Sequence, residues 1–192
     1  GGKIECNAEV EEILVDEGAV RGVRLADGRT LHSDLVVSNA DAAWTYRHLI
    51  KAEHRKRWTD RKIDRSHFSN GLFVWYFGTE GKYPDVPHHS VILGPRYKGL
   101  LDDIFKRKVL ADDFSLYLHR PTETDPSLAP EGCDAFYALA PVPHLDANVD
   151  WATYAETFKE RICQRLEETM LPGLRDRIVT SRLLTPQDFH DR

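Results

Sequence analysis

Residues 10–25 read VEEILVDEGAVRGVRL and predict a β-hairpin. Apolar and polar residues alternate through Val10–Val15 and again through Val20–Leu25, which is the period of a half-buried strand. Between these two runs, Asp16–Ala19 supplies a turn whose Gly18 tolerates a positive φ. The hairpin therefore begins a β-rich opening segment.

Four further features extend this segment beyond the hairpin. Asp27-Gly28 predicts a second turn, and Thr30–His32 a short strand after it. The apolar run Asp34–Val37 predicts a strand buried on both faces. The polar residues Ser38–Asp41 predict the cap of a helix that runs from about Ala42 to Ile50.

The composition limits the class of protein. An apolar fraction of 41% over 192 residues is enough to bury a core, and a net charge of -5 gives no general attraction to nucleic acid. No run approaches the roughly 20 apolar residues of a membrane-spanning helix, and no apolar signal peptide begins the chain. Because the single methionine is Met170, we expect the chain to be an internal piece of a larger protein.

Neither a disulfide nor a metal site is expected. Cys6, Cys133 and Cys163 are far apart and form no C-x-x-C pair, so we expect three buried free thiols in a reducing cytoplasm. His88 and His89 are adjacent, and neighbouring side chains on a strand point to opposite faces. Shared metal ligation by this pair is therefore not expected.

The remainder of the chain alternates strands and helices, which indicates a mixed α+β fold of the α/β type. Lys51–Asp64 is highly charged and predicts a solvated connector. An apolar stripe after Asp150 predicts a long helix that ends at Pro172-Gly173. The other predicted elements are strands at Gly71–Gly78, Ser90–Leu93, Ser115–His119, Ala135–Leu139 and Ile178–Leu184, a basic amphipathic helix at Tyr97–Leu110 and a helical turn from Pro186.

The opening segment carries an ordered series of features: the Gly1-Gly2 start, Val10 and Ile13 three residues apart, the hairpin, and the strand that closes on Val36–Asp41. This series resembles the second segment of the FAD-binding domain in two-dinucleotide-fold flavoproteins of the amine oxidase and carotenoid desaturase superfamily. The pattern taken alone also fits a hairpin-rich segment of an unrelated mixed protein.

Features further along the chain narrow the resemblance. The run Thr124–Gly132, TDPSLAPEG, fixes several low-frequency residues together. With His88-His89, Ser115–Tyr117 and Pro141–His144, this run is similar to the bacterial phytoene desaturases. The similarity extends over nearly the whole chain.

The resemblance implies an FAD-dependent enzyme that removes hydrogen stepwise from phytoene, an uncharged polyene, as far as lycopene. It implies that residues 1–41 are part of the FAD-binding domain and that residues 42–192 are an incomplete substrate domain, a mixed sheet with flanking helices. No G-x-G-x-x-G loop for the pyrophosphate occurs in the chain. We therefore expect this piece alone neither to hold FAD tightly nor to turn over substrate.

Site residues follow from the same resemblance. Val10 corresponds to a strand position whose backbone contacts the adenine of FAD, although a plain strand valine explains it as well. Phe73, Trp75 and Phe77 alternate on one face of a strand and are predicted to line an apolar tunnel for the polyene. Ordinary core packing is the alternative for these three aromatic residues.

No catalytic residue can be assigned from the sequence. The candidates for acid or base work are His119, Arg120, Asp125 and His144, and none has a partner fixed by spacing. Asp125 before Pro126 is more typical of a turn, and the others fit roles at strand ends.

The helix predicted at Tyr97–Leu110 is a candidate for membrane contact, because a polyene dissolved in lipid must enter from the bilayer. Its apolar stripe could instead face the core. The resemblance accordingly predicts a cytoplasmic protein peripheral to the membrane, while the oligomeric state stays open.

Two other functions remain open at this point. One is another flavoprotein of the superfamily, such as a carotenoid isomerase, saturase or ketolase, which would fit the Thr124–Gly132 run less well. The other is a non-catalytic lipid-binding module that keeps the fold without flavin.

Overall fold

The computed structural model describes residues 1–191, which divide into two compact units, one of residues 1–67 and one from Phe68 onward. The division predicted from the sequence lies at Asp41. In the structure the change in packing follows His67, so the charged stretch Lys51–Asp64 belongs to the first unit.

The first unit contains a three-stranded antiparallel sheet in the order β1-β2-β3. The predicted hairpin is confirmed: Ile13 pairs with Val23, and the turn residues Glu17 and Gly18 both have positive φ. Two positive φ values match the twist of a two-residue hairpin turn. The strands are β1 Val10–Asp16, β2 Ala19–Leu25 and β3 Thr30–His32.

Helical segments complete the first unit. Asp41 caps helix α1 as predicted, because its Oδ1 accepts a hydrogen bond of 2.8 Å from the Trp44 N–H. The segments are α1 Ala42–Trp44, a π-helical turn Thr45–Leu49, a 3-10 turn Ala52–His54 and α2 Asp60–Asp64.

The strand predicted at Asp34–Val37 is wrong. These residues adopt no regular structure, and Leu35 and Val37 are 74% and 85% exposed. An apolar run becomes a buried strand only where neighbouring strands satisfy its backbone hydrogen bonds. Among residues 1–191, no strand pairs with this run.

The second unit is built on a five-stranded sheet in the order β5-β6-β7-β4-β8. Every pairing described within it is antiparallel, whereas the sequence predicted a mixed sheet. The strands are β4 Gly71–Glu80, β5 His89–Ile92, β6 Leu116–His119, β7 Cys133–Val142 and β8 Ile178–Leu184. The helices are α3 Tyr97–Asp102, α4 Trp151–Thr169, α5 Leu174–Arg177 and α6 Pro186–His190.

Helix α4 covers one face of this sheet and forms the core with it. Asp150 caps the helix, since its Oδ1 accepts hydrogen bonds from the N–H groups of Ala152 and Thr153 at 3.1 and 3.3 Å. The predicted stripe is buried at Trp151, Phe158, Ile162 and Leu166. The sheet and the helix therefore share one apolar layer.

The amphipathic helix predicted at Tyr97–Leu110 forms in two parts. Helix α3 continues as a π-helical turn, Asp103–Arg107, which ends where Lys108 takes a left-handed conformation. Leu100 and Ile104 are buried together, while Tyr97, Phe105 and Val109 stay about half exposed. Among the described residues, no helix is both long and apolar enough to span a bilayer.

The three cysteines differ in burial. Cys163 is buried on α4, and this burial raises the pKa of its thiol. Cys133 is half-buried, but Cys6 is exposed, so the prediction of three buried thiols is wrong for Cys6. The reason is local: Cys6 precedes β1 in a stretch without strand or helix.

Candidate functional site

The face of the five-stranded sheet that points away from the α4 core carries tyrosine and histidine side chains. We call it the open face. Pairing across the strands places its side chains in two rows, His89, His119, Tyr137, Tyr76 and Arg182 in the first and Val91, Tyr117, Leu139, Val74 and Leu184 in the second. The rows arise because alternate residues of each strand share a face.

The three tyrosines of the open face lie close together. The ring centroids of Tyr76 and Tyr137 are 5.6 Å apart, and those of Tyr117 and Tyr137 are 5.7 Å apart. Burial raises the pKa of the Tyr137 hydroxyl, and the nearby Tyr117 hydroxyl shifts it in the same direction. Tyr137 therefore stays uncharged at neutral pH. Tyr76, at the centre of the face, is 43% exposed, so part of its aromatic ring is accessible.

Three histidines meet at one end of the open face. His89 and His119 are paired across β5 and β6, and the Nε2 atoms of His88 and His119 are 2.7 Å apart. The expectation that His88 and His89 point to opposite faces is wrong, because His88 precedes β5 and strand alternation does not apply to it. Burial lowers the pKa of His119, and the charges of His88 and His89 act in the same direction.

The predicted tunnel residues lie on the opposite face of β4. Phe73, Trp75 and Phe77 share one face, as their spacing predicts, and all three are buried in the core under α4. The Phe73 ring packs edge-on against Phe158 with centroids 5.0 Å apart, while the Trp75 indole N–H donates to Ser181 Oγ at 2.8 Å. That these residues line a tunnel stays a prediction.

Val10 lies in the first unit, at the start of β1, and is half-buried opposite Leu25. Strand β1 is at the edge of its sheet, so one row of its backbone N–H and C=O groups faces no other strand among residues 1–191. A backbone contact to a cofactor is compatible with this position, and the role of Val10 stays a prediction.

Arg120, a candidate for acid or base work, instead forms a buried ion pair. Its Nε donates to Asp134 Oδ2 at 3.0 Å, and both side chains are almost completely buried. Asp134 also accepts hydrogen bonds from Thr122 Oγ1 and the Tyr83 N–H, each at 2.8 Å. This network joins the segment before β5 to the turn after β6, which is a structural role.

Asp125 and His144 act as caps of short 3-10 turns. Asp125 Oδ1 accepts from the Ser127 N–H at 3.0 Å, and hydrogen bonds from Ser127 lower the pKa of this carboxyl group. His144 Nδ1 accepts from the Asp146 N–H at 3.4 Å. Both residues are exposed, and neither contacts the open face through these hydrogen bonds.

Comparison with known proteins identifies the family. A phytoene desaturase (neurosporene-forming) of Cereibacter sphaeroides is 52% identical over 197 residues, covering 100% of this chain and 38% of that protein. A phytoene desaturase (lycopene-forming) of Pseudescherichia vulneris is 50% identical over 192 residues, covering 100% of this chain and 39% of that protein. The chain belongs to the phytoene desaturase family. It spans about 38% of the length of the family members that it matches.

Solved structures share the fold of this part of the family. An oxidoreductase of Methanosarcina mazei superposes with a TM-score of 0.56 at 21% identity, covering 92% of this chain and 36% of that one. A protein of Pyrococcus furiosus superposes with a TM-score of 0.57 at 19% identity and the same coverage of both chains. No protein-family model matches the chain. At these identities the superpositions show the fold alone.

Proposed function

We propose that the protein containing this chain is an FAD-dependent phytoene desaturase, an oxidoreductase of carotenoid biosynthesis. The observation that carries the proposal is the identity of 50–52% along the entire chain to phytoene desaturases of two products. It also favours this function over an isomerase, saturase or ketolase of the same superfamily, and over a lipid-binding module without flavin.

The first unit has backbone groups that could bind the adenine of FAD, but not the loop that binds its phosphates. The edge strand β1 offers backbone donors and acceptors near Val10, which is what recognition of a flat adenine ring by a strand requires. The phosphates need a glycine-rich turn before a helix, and no such sequence lies in residues 1–192. When bound, FAD supplies the hydride acceptor that no side chain of this chain provides.

The open face is our proposed contact for the polyene. An uncharged hydrocarbon is held best by apolar and aromatic surface with few charges. Tyr76, Tyr117, Tyr137 and Leu139 provide such a surface on rigid strands, and it is only partly covered. The alternative contact is the tunnel predicted at Phe73, Trp75 and Phe77. The side chains of these residues already pack in the core with α4.

We expect cells that accumulate phytoene to convert it to products with longer conjugated chromophores when they express the complete gene. Lycopene is the product predicted from the sequence, and neurosporene is the second candidate because the relative of 52% identity forms it. Chromatography with absorption spectra measures the products. Unchanged phytoene, or a product with no added double bond, would contradict the proposed reaction.

The same cells test the open face. Tyr76→Asp places a charge at its centre, and we expect conversion of phytoene to fall about tenfold or more, because burying an unpaired carboxylate against hydrocarbon costs several kcal/mol. The matched control is Val179→Asp, an exposed apolar position on β8. Equal conversion by the two variants, at equal protein level, would count against the open face as the polyene contact.

We further propose peripheral membrane contact through Tyr97–Leu110. The exposed apolar side chains here are Tyr97, Phe105 and Val109. The basic side chains at the helix end are partly neutralised, since Lys106 lies 2.7 Å from Asp102 and Arg107 lies 2.6 Å from Asp103. Membrane contact would therefore depend on apolar insertion more than on charge.

Liposome flotation of the complete protein tests this contact. We expect Phe105→Asp combined with Tyr97→Asp to reduce the floated fraction several-fold, because both side chains are half exposed and neither change empties the core. Leu128→Asp is the matched control, an exposed leucine in another turn of the same unit. Flotation that is the same in all three proteins would show that lipid contact lies elsewhere.

A further inference from the structure

The histidine cluster on the open face has the composition and spacing of a metal site. Each of His88, His89 and His119 offers a ring nitrogen, and these three atoms lie within 4.8 Å of one another. We propose that this triad binds one divalent transition-metal ion of the zinc class. Imidazole nitrogen is a preferred ligand of such ions and a poor one for Mg²⁺ or Ca²⁺.

The backbone holds the three rings in place. His89 and His119 are directly paired between β5 and β6, and their rings stack with centroids 5.2 Å apart. The His88 carbonyl accepts a hydrogen bond of 2.9 Å from the N–H of Arg120, whose side chain is fixed in the buried pair with Asp134. Ligands on such rigid supports lose little entropy when an ion binds.

Two of the rings already have the outer hydrogen bonds that metal-binding histidines use. His88 Nδ1 is hydrogen-bonded to Thr124 Oγ1, and His89 Nδ1 lies 2.6 Å from the Tyr117 hydroxyl. Such contacts fix the tautomer with hydrogen on Nδ1 and turn the lone pair of Nε2 toward the ion. Both outer partners are hydroxyl groups, which can accept these hydrogen bonds.

The hydrogen bond between His88 and His119 must break before both rings can bind a metal ion. Their Nε2 atoms, 2.7 Å apart, share one proton as a hydrogen bond. Two nitrogens bound tetrahedrally at about 2.0–2.1 Å from zinc lie about 3.3 Å apart, so the rings must separate by about 0.6 Å. Because the Thr124 contact keeps the His88 hydrogen on Nδ1, His119 Nε2 is the donor in this pair. Its hydrogen must move to His119 Nδ1, a buried atom with no hydrogen-bond partner among the described residues, before both Nε2 lone pairs are free.

Three protein nitrogens leave the fourth position of a tetrahedral ion for water or another ligand. His89 is exposed, so that position is accessible from solvent in this unit. The ion would cross-link the residue before β5 to the end of β6. We therefore expect it to stabilise this end of the sheet, independently of the proposed flavin chemistry.

Titration of the metal-free chain with Zn²⁺, and with Co²⁺ for its visible absorption, tests the site. We expect one ion per chain, a rise in thermal midpoint with Zn²⁺ concentration, and no such rise with Mg²⁺. His89→Asn and His119→Asn should each weaken binding at least about tenfold. His32→Asn and His190→Asn, both at exposed positions outside the triad, are the matched controls and should bind as the unaltered chain does.

Circular dichroism without metal separates loss of a ligand from loss of the fold, and His89→Asn is the decisive variant because its side chain is exposed. A folded His89→Asn chain with weakened binding supports the site. No saturable binding by the unaltered chain, or equal binding by the triad variants and the controls, overturns it.

Discussion

Replacement of Phe73 by alanine is expected to lower the free energy of unfolding by about 3–5 kcal/mol, the usual effect of removing a large buried aromatic side chain. Phe73 is 0% exposed and packs against Trp151 and Phe158 of α4. Its removal leaves a cavity between the sheet and the helix that neighbouring side chains fill only in part. Urea unfolding followed by circular dichroism measures the change.

This substitution also distinguishes the two interpretations of the β4 aromatic residues. The matched control is Tyr76→Ala on the same strand, which removes an aromatic ring from the open face. It should lower the free energy of unfolding clearly less than Phe73→Ala does. If Phe73 instead lines a tunnel, its removal should spare stability and alter the handling of the polyene. A loss for Phe73→Ala no larger than that for Tyr76→Ala would favour the tunnel.

Replacement of Asp134 by alanine is expected to destabilise the second unit by about 3–5 kcal/mol, because it leaves a buried guanidinium without its buried carboxylate partner. Asp134 is the common acceptor for Arg120, Thr122 and the Tyr83 N–H. All three donors lose a hydrogen bond at once. The same urea experiment measures the effect.

Glu123 provides the matched control for this pair. It also binds Arg120, at 2.7 Å, but its side chain is about half exposed. Glu123→Gln should therefore cost no more than about 1 kcal/mol. The double change Arg120→Met with Asp134→Leu should recover part of the loss, because it removes both buried charges. Equal effects of Asp134→Ala and Glu123→Gln would contradict a buried, energetically important pair.

Local signals were enough to predict most elements and the family. The hairpin from Val10 to Leu25 forms as its alternation and turn predict, and Asp150 begins α4 at the predicted residue. The run at Thr124–Gly132 indicated the phytoene desaturases, to which the chain is 50–52% identical. These features depend on neighbouring residues, whose backbone preferences and side-chain spacing can be read along the chain.

The sequence predicted only in part which residues are buried in the structure. Asp34–Val37 has the composition of a buried strand but is exposed, because burial needs a partner that composition does not specify. In β4 the spacing showed that Phe73, Trp75 and Phe77 share a face. The strand is apolar on both faces, so the spacing could not show which face α4 covers.

The open face and the histidine triad were decided by tertiary structure alone. Tyr76, Tyr117 and Tyr137 come from three strands, and His88 and His119 are 31 residues apart. Alternation within each strand could have signalled that these polar aromatic residues share a face, but only the strand order β5-β6-β7-β4-β8 brings them together. Side-chain direction is a local property of a strand, whereas its neighbours are chosen by the packing of the whole sheet.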